Sequence, residues 1–236
     1  MPDSTSRSAR LAGDSSAPPQ WLRSPWPEDL YPARRPLLLV LSGPSGVGKD
    51  AVIRALKAEG YPLHYAITVT SRPRRRKTAE QEEEIDGVHY FFATPEEFAQ
   101  LRDSGQLLEW ANVSGYEYGT PKGQVRRALQ SGRDVLLKID VQGAAKVRQS
   151  VPGAILIYLG PASRDELVAR LKRRGTEQAE HLKRKLEAID AELRAVGGFD
   201  YVVVNREGQL AEAVAQVKSI IEAERLRRCP RECDLG

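Results

Sequence analysis

No run of eighteen or more apolar residues occurs in the 236-residue sequence, so no segment is expected to cross a bilayer as a helix. The N-terminus lacks the apolar block that a secretory signal needs, and the expected setting is the cytoplasm. Cysteine is scarce: Cys229 and Cys233 are the only two, close together in CPREC. Such a pair supplies half of a zinc site at best, so residues 229–236 are expected to be a frayed C-terminal tail without chemistry of its own. Charge is not one-sided either, since 36 Lys and Arg face 32 Asp and Glu, leaving +4 and a pI near 9.1. That balance suits a small phosphate ester as well as it suits a nucleic acid. The basic cluster from Arg72 to Lys77, in SRPRRRK, has no aromatic residue interleaved, which argues against a single-stranded RNA platform. Arg74, Arg76 and Lys77 read as solvated charges.

What is present is an apolar share of 41%, enough for one α/β domain with insertions. Residues 1–35 are rich in Ser, Pro, Arg and Ala without an apolar period, and read as a flexible extension. Asp3, Asp14, Glu28 and Asp29 weigh against an organelle transit peptide, and Trp21 and Trp26 are the side chains able to dock part of the extension. After Pro36, LLLVL ends in a glycine-rich loop, and DAVIRALKAEG follows with helical spacing and a stop at Gly60. DVLLKID, AILIYLG and DYVVVN read as further buried strands, with helices over 164–173 and 210–227. This alternation predicts a three-layer α/β fold, a parallel sheet with helices on both faces. Within a domain spanning 36–228, the core takes 36–66, 124–162 and 196–228. YAITVT and VHYFFAT read as strands and VSGYEYGTPKG as turn-rich, which makes 67–123 a small inserted mixed-β lobe. The arginine-rich span 163–195 reads as a helical flap.

GPSGVGK, comprising Gly43, Pro44, Ser45, Gly46, Val47, Gly48 and Lys49, fits the phosphate-binding loop between a strand and a helix. Its glycines let backbone N–H groups turn toward a phosphate at a helix N-terminus, and Lys49 reaches the β- and γ-phosphates. The next residue is normally Ser or Thr, whose hydroxyl ligates Mg2+; here it is Asp50. A carboxylate about 4 Å from a phosphate costs roughly 4 kcal/mol at an effective dielectric of 20. A divalent cation between the two reverses the sign, so Asp50 is expected to serve as a Mg2+ ligand.

From about Pro36 to Arg227 the chain resembles a guanylate kinase. The stretches SGPSGVGK, TSRPRR, DGVHYFF, LLEWANVSGYEYGT, KIDVQGA, RLKRRGTE and VVVN stand in family order at near-family spacing. The resemblance implies Mg2+-dependent transfer of the γ-phosphate of ATP to GMP, in purine nucleotide metabolism, by a P-loop core, a GMP-binding lobe and a mobile lid. It implies that Arg72, Arg75, Tyr90 and Tyr118 hold the GMP phosphate, with Thr68, Glu109 and Thr120 at the base. Guanine offers N1–H and N2–H side by side, and one carboxylate accepts from both, so Glu109 is expected to choose the base. Asp140 is implied beside GMP and the metal's water network, Asn205 beside adenine, and Arg170 and Arg174 as lid arginines. Lys49, Arg75, Arg170 and Arg174 are thereby the expected catalytic cations.

The chain departs from the family pattern in places. Lys138 stands where the family commonly has Asp, and Lys185 stands at a third lid arginine, with Arg184 one residue earlier. The loop from Arg75 to Glu84 is longer than usual and is expected to bulge outward, with Glu84 in the family's glutamate position. These departures leave a second reading, a catalytically weak scaffold or phospho-ligand module on the same frame. An enzyme for another monophosphate is disfavoured by Glu109. The sequence carries no feature that forces a particular oligomeric state.

Overall fold

A computed structural model describes residues 34–75, 83–113, 115–173 and 179–235, the last stretch with side chains from 186 onward. Trp21 and Trp26 lie outside the described residues. The first strand, β1 (Leu38–Ser42), is buried at every position. Successive side chains of a strand point to opposite faces. Leu39 and Leu41 accordingly enter one core cluster, and Leu38 and Val40 enter another. A strand apolar on both faces needs helices on both, and that requirement sets the layers.

Beside β1 lie β7 (Val135–Lys138) and β8 (Ile155–Gly160), with β2 (His64–Tyr65) and β9 (Tyr201–Val204) at the edges. The order is β2-β7-β1-β8-β9, and every pairing is parallel. On one face pack α1 (Lys49–Ala58), α5 (Arg164–Arg173) and α7 (Leu210–Arg225), through Val52, Leu56, Leu167, Val217 and Ile221. On the other pack α3 (Lys122–Gln130) and α4 (Val141–Ser150), through Val125, Ala144 and Val147. Because α1 leaves β1 for one face and α4 leaves β7 for the other, a crevice opens at the carboxyl ends of these neighbouring strands.

A second sheet of order β4-β3-β6-β5 stands over this crevice. Its strands are β3 (Val69–Thr70), β4 (Phe91–Phe92), β5 (Leu107–Val113) and β6 (Tyr116–Pro121). The β3–β4 pairing is parallel and the other two are antiparallel, so the sheet is mixed. Helix α2 (Pro95–Asp103) starts at a capping box of Thr94 and Glu97 and buries Phe98 against Val69 and Leu107. The remaining helix, α6 (Ala179–Arg194), brings Ile189 to the first core cluster. Among the described residues, no helix is long and apolar enough to cross a membrane.

Four local expectations do not hold. YAITVT is not one strand: His64 and Tyr65 belong to the core sheet, and Val69 and Thr70 belong to the lobe. In VHYFFAT only Phe91 and Phe92 are extended in a ladder. The stretch read as turn-rich is mostly β6, which closes a hairpin on β5, with Gly115 at φ 90° supplying the turn. Nor is the tail frayed. Cys233 and Leu235 pack on the second core cluster, and Arg231 binds buried Glu224 at 3.0 Å and Asp200 at 3.3 Å. A Cβ at Gly153 would fall 1.9 Å from the Glu232 carbonyl oxygen, so that glycine is what lets the tail lie down.

Candidate active site

The crevice holds a cleft of about 250 Å³. From the core side it is lined by Ser45, Gly46, Gly48, Lys49 and Asp50, with Lys138 and Asp140 following from the end of β7. The loop after β1 can take its shape only with glycine. Gly43 has φ 136° and a Cβ there would lie 2.1 Å from the Leu159 carbonyl oxygen, while Gly48 has φ 105° at the entrance to α1. Lys49 Nζ donates to the carbonyls of Gly43 at 2.6 Å and Pro44 at 3.1 Å. Burial pushes its ammonium down to about 8, with Glu192 and Asp50 opposing that fall. The third loop carbonyl, Val47, accepts from Asn205 Nδ2 at 2.7 Å and from Arg170 Nη1 at 3.2 Å.

The opposite wall comes from the lobe: Thr68, Arg72, Arg75, Tyr90, Glu109 and Tyr118. Glu109, on β5, is only 4% exposed and accepts from Thr120 Oγ1 at 2.7 Å. Burial pushes its carboxyl up to about 7, against the Thr120 hydrogen bond. Gly143 makes the room: a Cβ there would fall 2.4 Å from Glu109 Oε2. Asp140 caps α4 by accepting from Gly143 N–H at 2.9 Å, and burial raises its carboxyl above the usual range.

Arg72 is buried and largely committed. Its Nη2 donates to both oxygens of Glu84, at 2.7 and 2.9 Å, its Nε to Tyr118 OH at 3.2 Å, and its Nη1 to the Pro73 carbonyl at 2.7 Å. Glu84 also accepts from the Arg75 backbone N–H at 2.8 Å, so one carboxylate fixes both arginine positions. Removing one partner of a buried ion pair leaves the other charge uncompensated. Glu84→Ala is therefore expected to lower stability by about 3 kcal/mol, read as a fall in Tm of roughly 6–12 °C in a thermal melt. An unchanged Tm would show the pair to be dispensable.

Of the residues singled out in the sequence, the cleft gathers Lys49, Asp50, Thr68, Arg72, Arg75, Tyr90, Glu109, Tyr118 and Asp140 with loop residues Ser45, Gly46 and Gly48. Thr120 stands behind Glu109 rather than in the wall. Arg170 and Asn205 lie together on the far side of the loop, where Arg170 Nη2 donates to the Asn205 carbonyl at 2.7 Å and also pairs with Glu166. Asn205 Oδ1 is buried and finds no hydrogen-bond partner among the described residues. Arg174 lies outside the described residues, and of Lys185 only the backbone, within α6, is described.

Sequence reasoning missed Glu192. Its Oε2 accepts from Ser45 N–H at 3.2 Å, and the Tyr158 hydroxyl donates to its carbonyl at 3.1 Å. No local signal marks it, because one acidic residue on an amphipathic helix looks like any solvated charge. Gly143 was visible in the KIDVQGA stretch without its reason, the proximity of Glu109.

A glycine-rich loop and its lysine at a helix N-terminus face, across one cleft, a lobe bearing arginines, tyrosines and a buried carboxylate. This arrangement defines a P-loop phosphotransferase with separate seats for a phosphate donor and an acceptor. The guanylate kinase family model matches residues 34–224. The guanylate kinase of Chelativorans sp. (strain BNC1) is 44% identical over 195 residues, covering 82% of this chain and 86% of that protein. That of Bacillus subtilis (strain 168) is 43% identical over 195 residues, covering 82% and 92%. The crystal structure of guanylate kinase from Anaplasma phagocytophilum superposes with a TM-score of 0.64 at 27% identity, over 82% of this chain and 88% of that one. The chain belongs to the guanylate kinase family, and it is a nucleotide-binding phosphotransferase.

Proposed function

We propose that the protein transfers the γ-phosphate of ATP to GMP, giving ADP and GDP, in cytoplasmic purine nucleotide metabolism. The observation that carries this reading is the facing of Lys49 and buried Glu109 across one cleft. ATP lies with its β- and γ-phosphates in the loop 43–49, where backbone N–H groups and Lys49 meet developing negative charge. Asn205 contacts the adenine end. GMP enters from the lobe: Glu109, steadied by Thr120 and beside Thr68, accepts from guanine N1–H and N2–H. Arg75, Tyr90 and Tyr118 bind its phosphate, while Arg72 contributes what its commitment to Glu84 leaves. With four of its five N–H groups engaged or shared, Arg72 is as much a positioning residue as a ligand. The span 163–195 acts as a lid that excludes water and brings Arg174 and Lys185 to the moving phosphoryl group; Arg170 joins them only by leaving the Val47 and Asn205 carbonyls that hold it.

The side chains present fit Mg2+ in the way that ion prefers. Burial works against ionisation of Asp50, but the charge and hydrogen bond of Lys138 outweigh it and hold the carboxyl below its usual range. Asp50 Oδ1 takes that hydrogen bond at 2.7 Å, which leaves Oδ2 as a hard oxygen donor at the cleft. With Asp140 it offers two carboxylates at most, and no group of three or more His, Cys, Asp or Glu side chains able to hold a metal exists among the described residues. Mg2+ is commonly held by one or two carboxylates, waters and substrate phosphates. When bound, the ion neutralises charge on the donor phosphates.

The test is ADP formation from ATP with GMP, AMP, UMP and CMP in parallel, with and without Mg2+. Fast, metal-dependent turnover on GMP alone is the expected result. Turnover with none of the four overturns the reading.

A further inference from the structure

In the sequence Lys138 is a departure from the family pattern whose positive charge balances the extra negative charge of Asp50, and the fold puts its ammonium at the seam of the two substrate seats. Its Nζ donates to Asp50 Oδ1, at the end of the phosphate loop, at 2.7 Å. It also donates to Tyr90 OH, on the lobe, at 3.3 Å, and lies 5.1 Å from the centre of the Tyr90 ring. Both contacts lie within the same cleft. An ammonium has three N–H donors, and two are accounted for. The third has no acceptor among the described residues.

We propose that Lys138 binds the phosphate group of the acceptor nucleotide, reaching it from the core side while Arg75, Tyr90 and Tyr118 reach it from the lobe. The inference rests on the reading of those lobe residues as the acceptor's phosphate site. Three observations carry it. Lys138 already hydrogen-bonds a member of that site. Asp50 and Asp140 line the same cleft and repel a phosphate, and Lys138 offsets the nearer one. Arg72, the other buried cation beside Tyr90, has most of its donors committed to Glu84, Tyr118 and the Pro73 carbonyl. Lys138, with one of its three donors to spare, adds a cation from the core side that can meet a phosphate oxygen. The same residue also ties the loop to the lobe, so acceptor binding and loop geometry share one side chain.

The experiment is equilibrium titration of GMP and of guanosine, which lacks only the phosphate, against wild type, Lys138→Met and the double variant Asp50→Ser/Lys138→Met. Titrations run at pH 8 without ATP or metal. Loss of a charged hydrogen bond is expected to raise the Kd for GMP by about 10- to 100-fold in Lys138→Met, with guanosine unchanged. The double variant is expected to stay weak for GMP. GMP and guanosine weakening together would show a disturbed pocket and overturn the proposal, as would no change in either. Full recovery of GMP affinity in the double variant would also overturn it, by reducing Lys138 to a neutraliser of Asp50. If wild type binds GMP no more tightly than guanosine, the reading of the lobe residues as a phosphate site fails instead.

Discussion

Lys49→Met is expected to lower kcat by about 10³-fold while leaving the melting temperature within a few degrees of wild type, because preorganised charge at the transferring phosphoryl group is the main source of rate. The wild-type contacts explain why the fold survives. Lys49 donates to two carbonyls of its own loop, Gly43 and Pro44, and neither contact holds a strand or helix in place. A pH signature accompanies the loss. With the ammonium of the protein by itself pushed down to about 8 by burial, kcat/KM for ATP falls as pH rises through that value, since only the charged form attracts phosphate. Glu192 opposes the depression, so Glu192→Gln moves the falling limb to lower pH. A Lys49→Met variant that kept its rate would remove Lys49 from the mechanism, and a limb that ignored position 192 would show that it does not report the charge of Glu192 at Lys49.

Glu109→Gln is expected to lower kcat/KM for GMP by about 10²- to 10³-fold, because an amide offers one acceptor and one donor to a guanine edge that presents only donors there. Inosine monophosphate, which keeps N1–H and lacks the 2-amino group, is the comparator: wild type prefers GMP strongly, and the variant narrows the preference. The carboxyl is pushed up to about 7 by burial, and only its ionised form accepts from both guanine donors. As pH drops below about 7 the ionised fraction falls tenfold per unit, so KM for GMP rises with the same slope. This dependence vanishes in Glu109→Gln apart from the second ionisation of the GMP phosphate, near pH 6. An unchanged GMP to inosine monophosphate preference would show that the base is chosen elsewhere.

The parts of the site legible in the sequence were those whose chemistry is local. Gly43, Gly48 and Lys49 announce a phosphate loop because the backbone turn and the lysine reach are encoded within a few residues. Boundaries in the lobe were harder to read. YAITVT is β-prone throughout, and nothing in it says that the chain leaves one sheet after Tyr65 and enters another at Val69. Likewise a run dense in glycine and tyrosine looks like turns until β5 pairs with it from Leu107 to Val113. The tail shows the same effect, since Arg231 and Cys233 carry no period that predicts their docking on Asp200, Glu224 and the second core cluster.

The sequence by itself determined the layered α/β frame, because strands apolar on both faces demand helices on both, and it determined the phosphate loop, because that motif is its own structure. The tertiary structure alone decided the electrostatics of the cleft. Asp50 and Lys138 are 88 positions apart and become a 2.7 Å ion pair. Glu192 arrives at Ser45 from 147 positions away. Charge interactions depend on distance and burial, and neither is written in the spacing of residues along a chain.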